Sequence, residues 1–222
     1  MKRISLIIFA ACTCAGVLFA QSVPDTLYLR NKNYKAQTDL YSIYKTEKAD
    51  VVMLGNSITF GVNWNELMGR TNIVNRGIGS DLTQGFLHRL EYVYNVHPKL
   101  CLIMGGINDI YENISVEKIF ENYTGIIDSL RAHNIIPVIQ STLFVSPKWK
   151  KAAEKNMEVE NLDRMLMEYA HKEKILFIDL NRVLAEHNTL KDELTIDGVH
   201  LNAKGYELWR GELEPVLKRY GL

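Results

Sequence analysis

The chain has 222 residues, with 26 Lys and Arg against 26 Asp and Glu, so its formal net charge is zero. This balance excludes the basic footprint of a nucleic-acid-binding protein and a polybasic surface for anionic lipid. A chain of this length with 47% hydrophobic residues and no repeat or linker-like tract is typical of one domain with a substantial core.

The first 20 residues have the features of an export signal. Lys2 and Arg3 are followed by an apolar stretch over residues 4–18, and Ala20 is a small residue before Gln21. The stretch is shorter than the roughly 20 residues that span a bilayer. A membrane anchor and lipidation at Cys12 or Cys14 are the alternatives. We expect a secreted or periplasmic protein, cleaved after Ala20, with a single domain over residues 21–222 and no membrane span.

Cleavage there would leave Cys101 as the only cysteine, so the mature chain could form no intrachain disulfide. Cys101 lies in the middle of an apolar run, which predicts a buried core thiol. Loss of Lys2 and Arg3 would change the balance to 24 basic against 26 acidic residues, since 26 minus 2 is 24. The mature protein would remain near neutral.

From residue 50 onward, short apolar runs alternate with longer amphipathic stretches. Residues 21–49, which are polar and rich in tyrosine, are predicted to form an arm and a first helix. Strands are predicted at 50–54, 72–75, 100–105, 135–142 and 175–179, and helices at 81–95, 116–133, 150–172 and 202–219. Most of the strands are apolar throughout, as in a parallel sheet that is covered on both faces. Right-handed crossovers then predict an α/β fold, a three-layer α/β/α sandwich with a five-stranded parallel sheet.

Ser57 follows the first predicted strand in the turn Gly55-Asn56-Ser57. A strand that ends in such a turn can expose a serine hydroxyl at the carboxyl edge of the sheet, where ligands meet open α/β sheets. The hydroxyl becomes a nucleophile when a base takes its proton, and the backbone N–H at a helix start can face an oxyanion. The alternative is that Ser57 merely caps the next helix.

Two further loops follow the second and third strands. The first runs from Asn75 to Asp81 and contains Gly77 and Gly79, which allow N–H groups to turn toward a ligand. The second contains Asn108, whose side-chain amide is an uncharged donor that could hold an oxyanion. The alternative for the first loop is an ordinary connection capped by Ser80 or Asp81. The alternative for the second is an ordinary Gly-Asn-Asp turn.

Asp197 and His200 lie on one loop before the last predicted helix. A carboxylate three residues from a histidine can orient one ring nitrogen while the other acts as a base. A histidine beside a helix start can also be purely structural. The remaining histidines fall in or beside helical patterns and are predicted to be surface or packing residues: His88, His97, His133, His171 and His187.

These four loops, in this order, resemble those of the SGNH hydrolases, also called the GDSL-like lipase and acylhydrolase family, over nearly the whole mature chain. Ser57 matches the family's first-block serine, Asn108 its third-block asparagine, and Asp197 and His200 its terminal Asp-x-x-His. Asn56 replaces the aspartate of the Gly-Asp-Ser signature. Ser80 stands where the family has its oxyanion glycine. The stretch from Asn75 to Asp109 is most similar to the platelet-activating-factor acetylhydrolase catalytic-subunit branch, which includes dimers.

The resemblance implies a flavodoxin-like fold and a carboxylic ester hydrolase that works through an acyl-enzyme. Ser57 would be the nucleophile, His200 the base and Asp197 its orienting carboxylate, with no metal or organic cofactor. The Ser57 and Ser80 N–H groups and the Asn108 amide would form the oxyanion hole. An exported acylhydrolase without a lid insertion suits short acyl groups, above all O-acetyl groups on sugars or glycans. A lysophospholipase or thioesterase, an acyltransferase and a non-catalytic glycan-binding protein are the alternatives.

Overall fold

The structure, a computed structural model, describes residues 26–222. The predicted export signal, with Cys12 and Cys14, lies outside the described residues. Among the helices of residues 26–222, none has the length and apolar character needed to cross a membrane.

Strands and helices alternate along the described chain in the order that the apolar pattern predicts. A 3-10 helix, Leu27–Arg30, comes first. It is followed by α1 (Lys32–Ile43), β1 (Val51–Gly55), α2 (Ser57–Phe60), α3 (Trp64–Met68), β2 (Ile73–Gly77), α4 (Thr83–Leu87), α5 (Glu91–Tyr94), β3 (Leu100–Met104), α6 (Ile107–Tyr111), α7 (Val116–Ala132), β4 (Ile136–Gln140), α8 (Ala152–Glu173), β5 (Leu176–Ile178), α9 (Asn181–Leu184), the short strands β6 (Ala185–Glu186) and β7 (Thr189–Leu190), a second 3-10 helix (Asp192–Leu194), and α10 (Ala203–Arg219).

The first five strands form one parallel sheet in the order β2-β1-β3-β4-β5. Every residue of β1 and β3 is buried, because helices cover both faces of the sheet. Helices α4 and α8 contact α7, whereas α3 and α9 contact α10, which gives two helical layers. The predicted three-layer sandwich is therefore confirmed.

The direction of the chain across the sheet reverses at β1. The chain passes from β1 outward to β2 and then crosses back to β3 on the other side of β1. Such a reversal leaves a crevice between the carboxyl ends of β1 and β3. Ser57 follows β1 and Asn108 follows β3, so both candidate residues lie at this crevice.

The single helix predicted at 81–95 is wrong, since the segment folds as α4 and α5 with a turn between them. Arg89 lies in this turn with its side chain fully buried. Its guanidinium donates to the backbone oxygens of Arg76 and Gly55, at 2.8 and 3.0 Å. These bonds to two strand ends hold Arg89 inward, and a local helical pattern does not reveal that requirement.

Strand β4 is shorter than the predicted 135–142. It ends at Gln140 because the backbone N–H of Thr142 donates to Asp163 Oδ1, at 2.7 Å, instead of to a neighbouring strand. Strand β2, in contrast, extends two residues beyond its predicted end and pairs Gly77 with Gly55. Cys101 is buried in β3 as predicted, and burial raises the pKa of its thiol.

Candidate active site

The hydroxyl of Ser57 is free of any capping role. Strand β1 ends at Gly55, and the side-chain oxygen of Asn56 caps α2 by accepting the Ile58 N–H at 2.9 Å. The alternative that Ser57 caps this helix is therefore wrong. Asn56 is also fully buried, so the residue that replaces the signature aspartate fixes the turn that presents Ser57.

Asp197 holds its own loop and the imidazole of His200. One carboxylate oxygen, Oδ1, accepts the backbone N–H groups of Val199 and His200 at 2.9 and 2.8 Å. The other, Oδ2, lies 2.6 Å from His200 Nδ1. Because a carboxylate only accepts hydrogen bonds, Nδ1 carries the proton and Nε2 of a neutral ring is left as an acceptor.

His200 Nε2 lies 2.9 Å from Ser57 Oγ, although 143 residues separate the two along the chain. The structure thus brings the predicted serine, histidine and aspartate into one hydrogen-bonded chain. A serine in this arrangement can lose its proton to the ring as it attacks an electrophile. The other five histidines, which are predicted to be surface or packing residues, are all exposed.

The carboxylate of Asp197 is suited to stabilise a positive ring. Burial would raise its pKa, but hydrogen bonds from the His200 side chain and from the His200 and Val199 backbone lower the pKa below its usual value. Asp197 is therefore ionised at neutral pH. The side chains of His200 and Asp197 are 36% and 39% exposed, so the group lies in an open site at the surface.

Ser80 has a left-handed backbone, with φ at +58°. The Asp81 N–H donates to the Ile78 carbonyl at 3.2 Å and closes a turn with Gly79 and Ser80 at its centre. A positive φ at the third residue of a turn is a conformation that favours glycine. Ser80 therefore adopts the backbone shape of a glycine position at a cost of about 1 kcal/mol.

Asn108 lies in the first turn of α6 and is tied to the same loop. Its Nδ2 donates one N–H to the Asp81 carbonyl at 2.9 Å, which fixes the plane of the amide. The predicted donor Asn108 is thus tied to the residue that follows the predicted donor Ser80. In the described residues, the second N–H of Asn108 has no hydrogen-bond partner and can serve a ligand.

A buried ion pair holds the end of this loop. The sequence motifs do not predict it. Arg89 Nε donates to Asp81 Oδ2 at 2.8 Å, and both side chains are completely inaccessible. Burial raises the pKa of Asp81 to about 6 despite the charge and hydrogen bond of Arg89. One feature of the sequence indicates that Arg89 is buried. Arg89 lies three residues after Phe86 and therefore on the same inward face of the helical pattern.

Asp109, next to Asn108, is a second buried carboxylate at this edge. It accepts the hydroxyl and the backbone N–H of Thr83 at 2.6 and 3.0 Å. Burial raises the pKa of Asp109 to about 7, against these hydrogen bonds. The described residues contain no group of three or more His, Cys, Asp or Glu that could hold a metal ion.

Residues 53–208 match the profile of the GDSL-like Lipase/Acylhydrolase family, a stretch of well over half of the chain. The protein belongs to this family. The four motif loops lie within the matched stretch, so the resemblance read from them is confirmed at the level of the family of lipases and acylhydrolases.

Two curated relatives differ in how much of their own length this GDSL-like chain covers. It is 26% identical to an N-acylneuraminate cytidylyltransferase of Streptococcus agalactiae over 178 residues. This aligned stretch is 78% of this chain but 40% of that protein. The chain thus spans about two fifths of that relative. It is 24% identical over 175 residues to an isoamyl acetate-hydrolyzing esterase of Saccharomyces cerevisiae, 70% of this chain and 73% of the esterase.

Solved structures of GDSL-like proteins share the fold. A GDSL-like lipase from Bacteroides thetaiotaomicron superposes with a TM-score of 0.74 at 27% identity, over 85% of this chain and 98% of that chain. A protein of Streptococcus pneumonia described as a platelet activating factor superposes with a TM-score of 0.76 at 25% identity. The match covers 86% of this chain and 94% of that chain. The second similarity agrees with the branch that the loop sequences resemble.

Proposed function

We propose that this protein is a serine esterase that removes short acyl groups, above all O-acetyl groups, from carbohydrate esters. The observation that carries the proposal is the chain of hydrogen bonds from Ser57 Oγ to His200 Nε2 and from His200 Nδ1 to Asp197, at 2.9 and 2.6 Å. Family membership supports an acylhydrolase. A purely binding protein would have no need of a serine, a histidine and a carboxylate arranged in this way.

In the proposed reaction, Ser57 Oγ attacks the ester carbonyl carbon while its proton passes to His200 Nε2. Asp197 stabilises the imidazolium and holds its orientation. The tetrahedral intermediate collapses when His200 returns the proton to the departing alcohol oxygen, which leaves an acyl group on Ser57. His200 then takes a proton from water, which attacks the acyl carbon. The bond from that carbon to Ser57 Oγ breaks as His200 gives the proton to Oγ, and the acid leaves.

The negative oxygen of both intermediates would be held by three neutral donors. These are the Ser57 N–H at the start of α2, the Ser80 N–H and the second N–H of Asn108. Donors that are already in place act without reorganisation at the moment of reaction, which is why such sites give a large share of the rate enhancement. The tie from Asn108 to the Asp81 carbonyl supports this role, since it aims the amide before a substrate arrives.

The proposed substrate follows from the open position of the site. A long acyl chain needs a deep apolar channel, whereas a site whose histidine and aspartate are more than a third exposed suits a small acyl group on a bulky alcohol. The yeast relative is named for its action on an acetate ester. Expected export through residues 1–20 would place the enzyme among extracellular or periplasmic glycans.

The test is an activity panel on the mature protein with acetyl, butanoyl and octanoyl p-nitrophenyl esters and with acetylated sugars. Ser57→Ala is the blank, and Ser115→Ala, which replaces the exposed cap of α7, is the matched control. We expect a preference for acetyl esters, loss of turnover in Ser57→Ala only, and labelling of Ser57 by a fluorophosphonate probe. Full turnover in Ser57→Ala would refute the mechanism.

Other outcomes of the panel separate the alternatives. A clear preference for octanoyl esters would contradict the acetylesterase and favour a lysophospholipase or thioesterase. Faster appearance of the acyl group on an added sugar than of free acid would indicate a transferase. Absence of both labelling and turnover would favour a glycan-binding protein.

A further inference from the structure

The N-terminal segment packs directly on the loop that carries Ser80. In α1, the Tyr34 hydroxyl donates to the Gly85 carbonyl at 3.3 Å and the Tyr41 hydroxyl donates to the Gly77 carbonyl at 2.6 Å. The two tyrosines and Ile78 form a buried cluster of their own, separate from the main core. Helix α1 is therefore held against the residues on either side of this loop.

Two asparagines of this segment converge on one backbone oxygen. Asn31 Nδ2 donates to the Gly79 carbonyl at 2.8 Å, and Asn33 Nδ2 donates to the same oxygen at 3.3 Å. Asn31 is also the N-cap of α1, and its Oδ1 accepts the Asn33 N–H at 3.0 Å. The cap fixes the side chain of Asn31, so its amide can only point at the loop.

The Gly79 carbonyl and the Ser80 N–H belong to a single peptide group. That group is planar and its C=O and N–H point in opposite directions, so fixing one fixes the other. Hydrogen bonds to the carbonyl also polarise the group and strengthen the N–H as a donor. Asn31 and Asn33 therefore act on the direction and strength of the Ser80 N–H without touching it.

The turn from Ile78 to Asp81 needs these hydrogen bonds because a serine stands at its third residue. Ser80 has φ at +58°, which an L-residue adopts less readily than glycine does. The competing turn has a negative φ at the same residue and its central peptide turned over. Such a flip would direct the Gly79 carbonyl, with its negative oxygen, to where the Ser80 N–H now points. Both asparagine donors would lose their acceptor on flipping, so they oppose it.

We propose that Asn31 and Asn33 are positioning residues that hold the Gly79–Ser80 peptide with its N–H toward the oxyanion. This inference rests on the proposed function, in which the Ser80 N–H is an oxyanion donor. Both asparagines lie before residues 53–208, the stretch that matches the family profile. The N-terminal segment thus stabilises the turn where Ser80 occupies the glycine position.

The experiment compares kcat and KM for p-nitrophenyl acetate in Asn31→Asp and Asn33→Ala, each made in the wild-type and in the Ser80→Gly background. Asn31→Asp keeps the cap of α1 but removes the donor. We expect kcat to fall about 10-fold in the wild-type background, less than for outright loss of an oxyanion donor, with little change in KM. In the Ser80→Gly background the loss should shrink to about 3-fold or less, because glycine tolerates the positive φ.

Asn63→Asp is the matched control. Asn63 is an exposed N-cap asparagine of α3 whose Nδ2 donates to Glu66, and its change should leave kcat within about 2-fold of wild type. Melting temperatures monitor folding. If Asn31→Asp unfolds, Asn33→Ala carries the test, since Asn33 caps nothing.

A loss of kcat that is no smaller in the Ser80→Gly background, or no loss at all, would overturn the inference. Its failure differs from failure of the proposed function. If Ser57→Ala abolishes turnover and Asn108→Ala lowers it while the asparagine variants behave like wild type, only the positioning role is refuted. Turnover that survives in Ser57→Ala would instead remove the proposed function itself.

Discussion

Replacement of Asn108 by alanine removes one of the three proposed oxyanion donors and nothing else that touches the substrate. The Asn108 amide uses one N–H to bond the Asp81 carbonyl at 2.9 Å, and its other N–H has no partner among residues 26–222. Loss of a preorganised donor of this kind raises the activation free energy by about 2.7 to 4 kcal/mol, or roughly 100- to 1000-fold in kcat. We expect Asn108→Ala to fall within this range.

The structural cost of the same change is small. The Asp81 carbonyl loses one neutral hydrogen bond, which is worth about 1 kcal/mol of folding free energy. The variant should therefore remain folded, with a far-UV spectrum like that of wild type. Because the donor acts mainly on the negative oxygen of the transition state, we expect KM for p-nitrophenyl acetate to change little.

Two further variants make the assay decisive. Asn108→Asp keeps the size of the side chain but places a negative charge beside the oxyanion, so it should be slower than Asn108→Ala. Asn161→Ala, on the exposed surface of α8, is the control and should match wild type. A kcat for Asn108→Ala within about 3-fold of wild type would refute the oxyanion role, since that is well below the effect of one donor.

Three other predictions follow from the same region. Asp197→Asn should lower kcat by up to roughly 10,000-fold, because the ring then takes the wrong tautomer, while a rate near that of wild type would contradict the role of Asp197. Arg89→Met should cost about 3 to 5 kcal/mol in urea unfolding at pH 7.5, since it leaves buried Asp81 unpaired. The same change in the exposed pair of Arg131 with Glu173 should cost less than about 1 kcal/mol, and equal effects would refute the reasoning. Asp109 is a carboxyl with a raised pKa in the folded state, so its contribution to stability is present below about pH 4 and is lost as pH rises through about 7. The free energy of unfolding of Asp109→Asn should thus rise by roughly 4 kcal/mol relative to that of wild type between those pH values. A difference that stays constant with pH would show that burial does not raise this pKa.

Much of the fold could be predicted because its signals are local. A strand covered on both faces must be apolar at nearly every position, so β1 and β3 are visible as runs in the sequence. The amphipathic periods of α7, α8 and α10 predict helices within two residues of their observed ends. Where a distant partner supplies the hydrogen bond, prediction failed, as at Thr142, whose N–H turns to Asp163.

The sequence by itself determined the α/β class and the positions of Ser57 and Asn108 after their strands and of Asp197 and His200 before the last helix, because these depend on apolar period and on motif order along the chain. Only the tertiary structure decided that Ser57 and His200 are in hydrogen-bond contact and that Arg89 breaks a predicted helix to reach two strand ends. The left-handed backbone of Ser80 and its support by Asn31 and Asn33 also belong to the tertiary structure. Such features depend on donors and acceptors far apart in the chain, and a serine carries no local sign that its φ is positive.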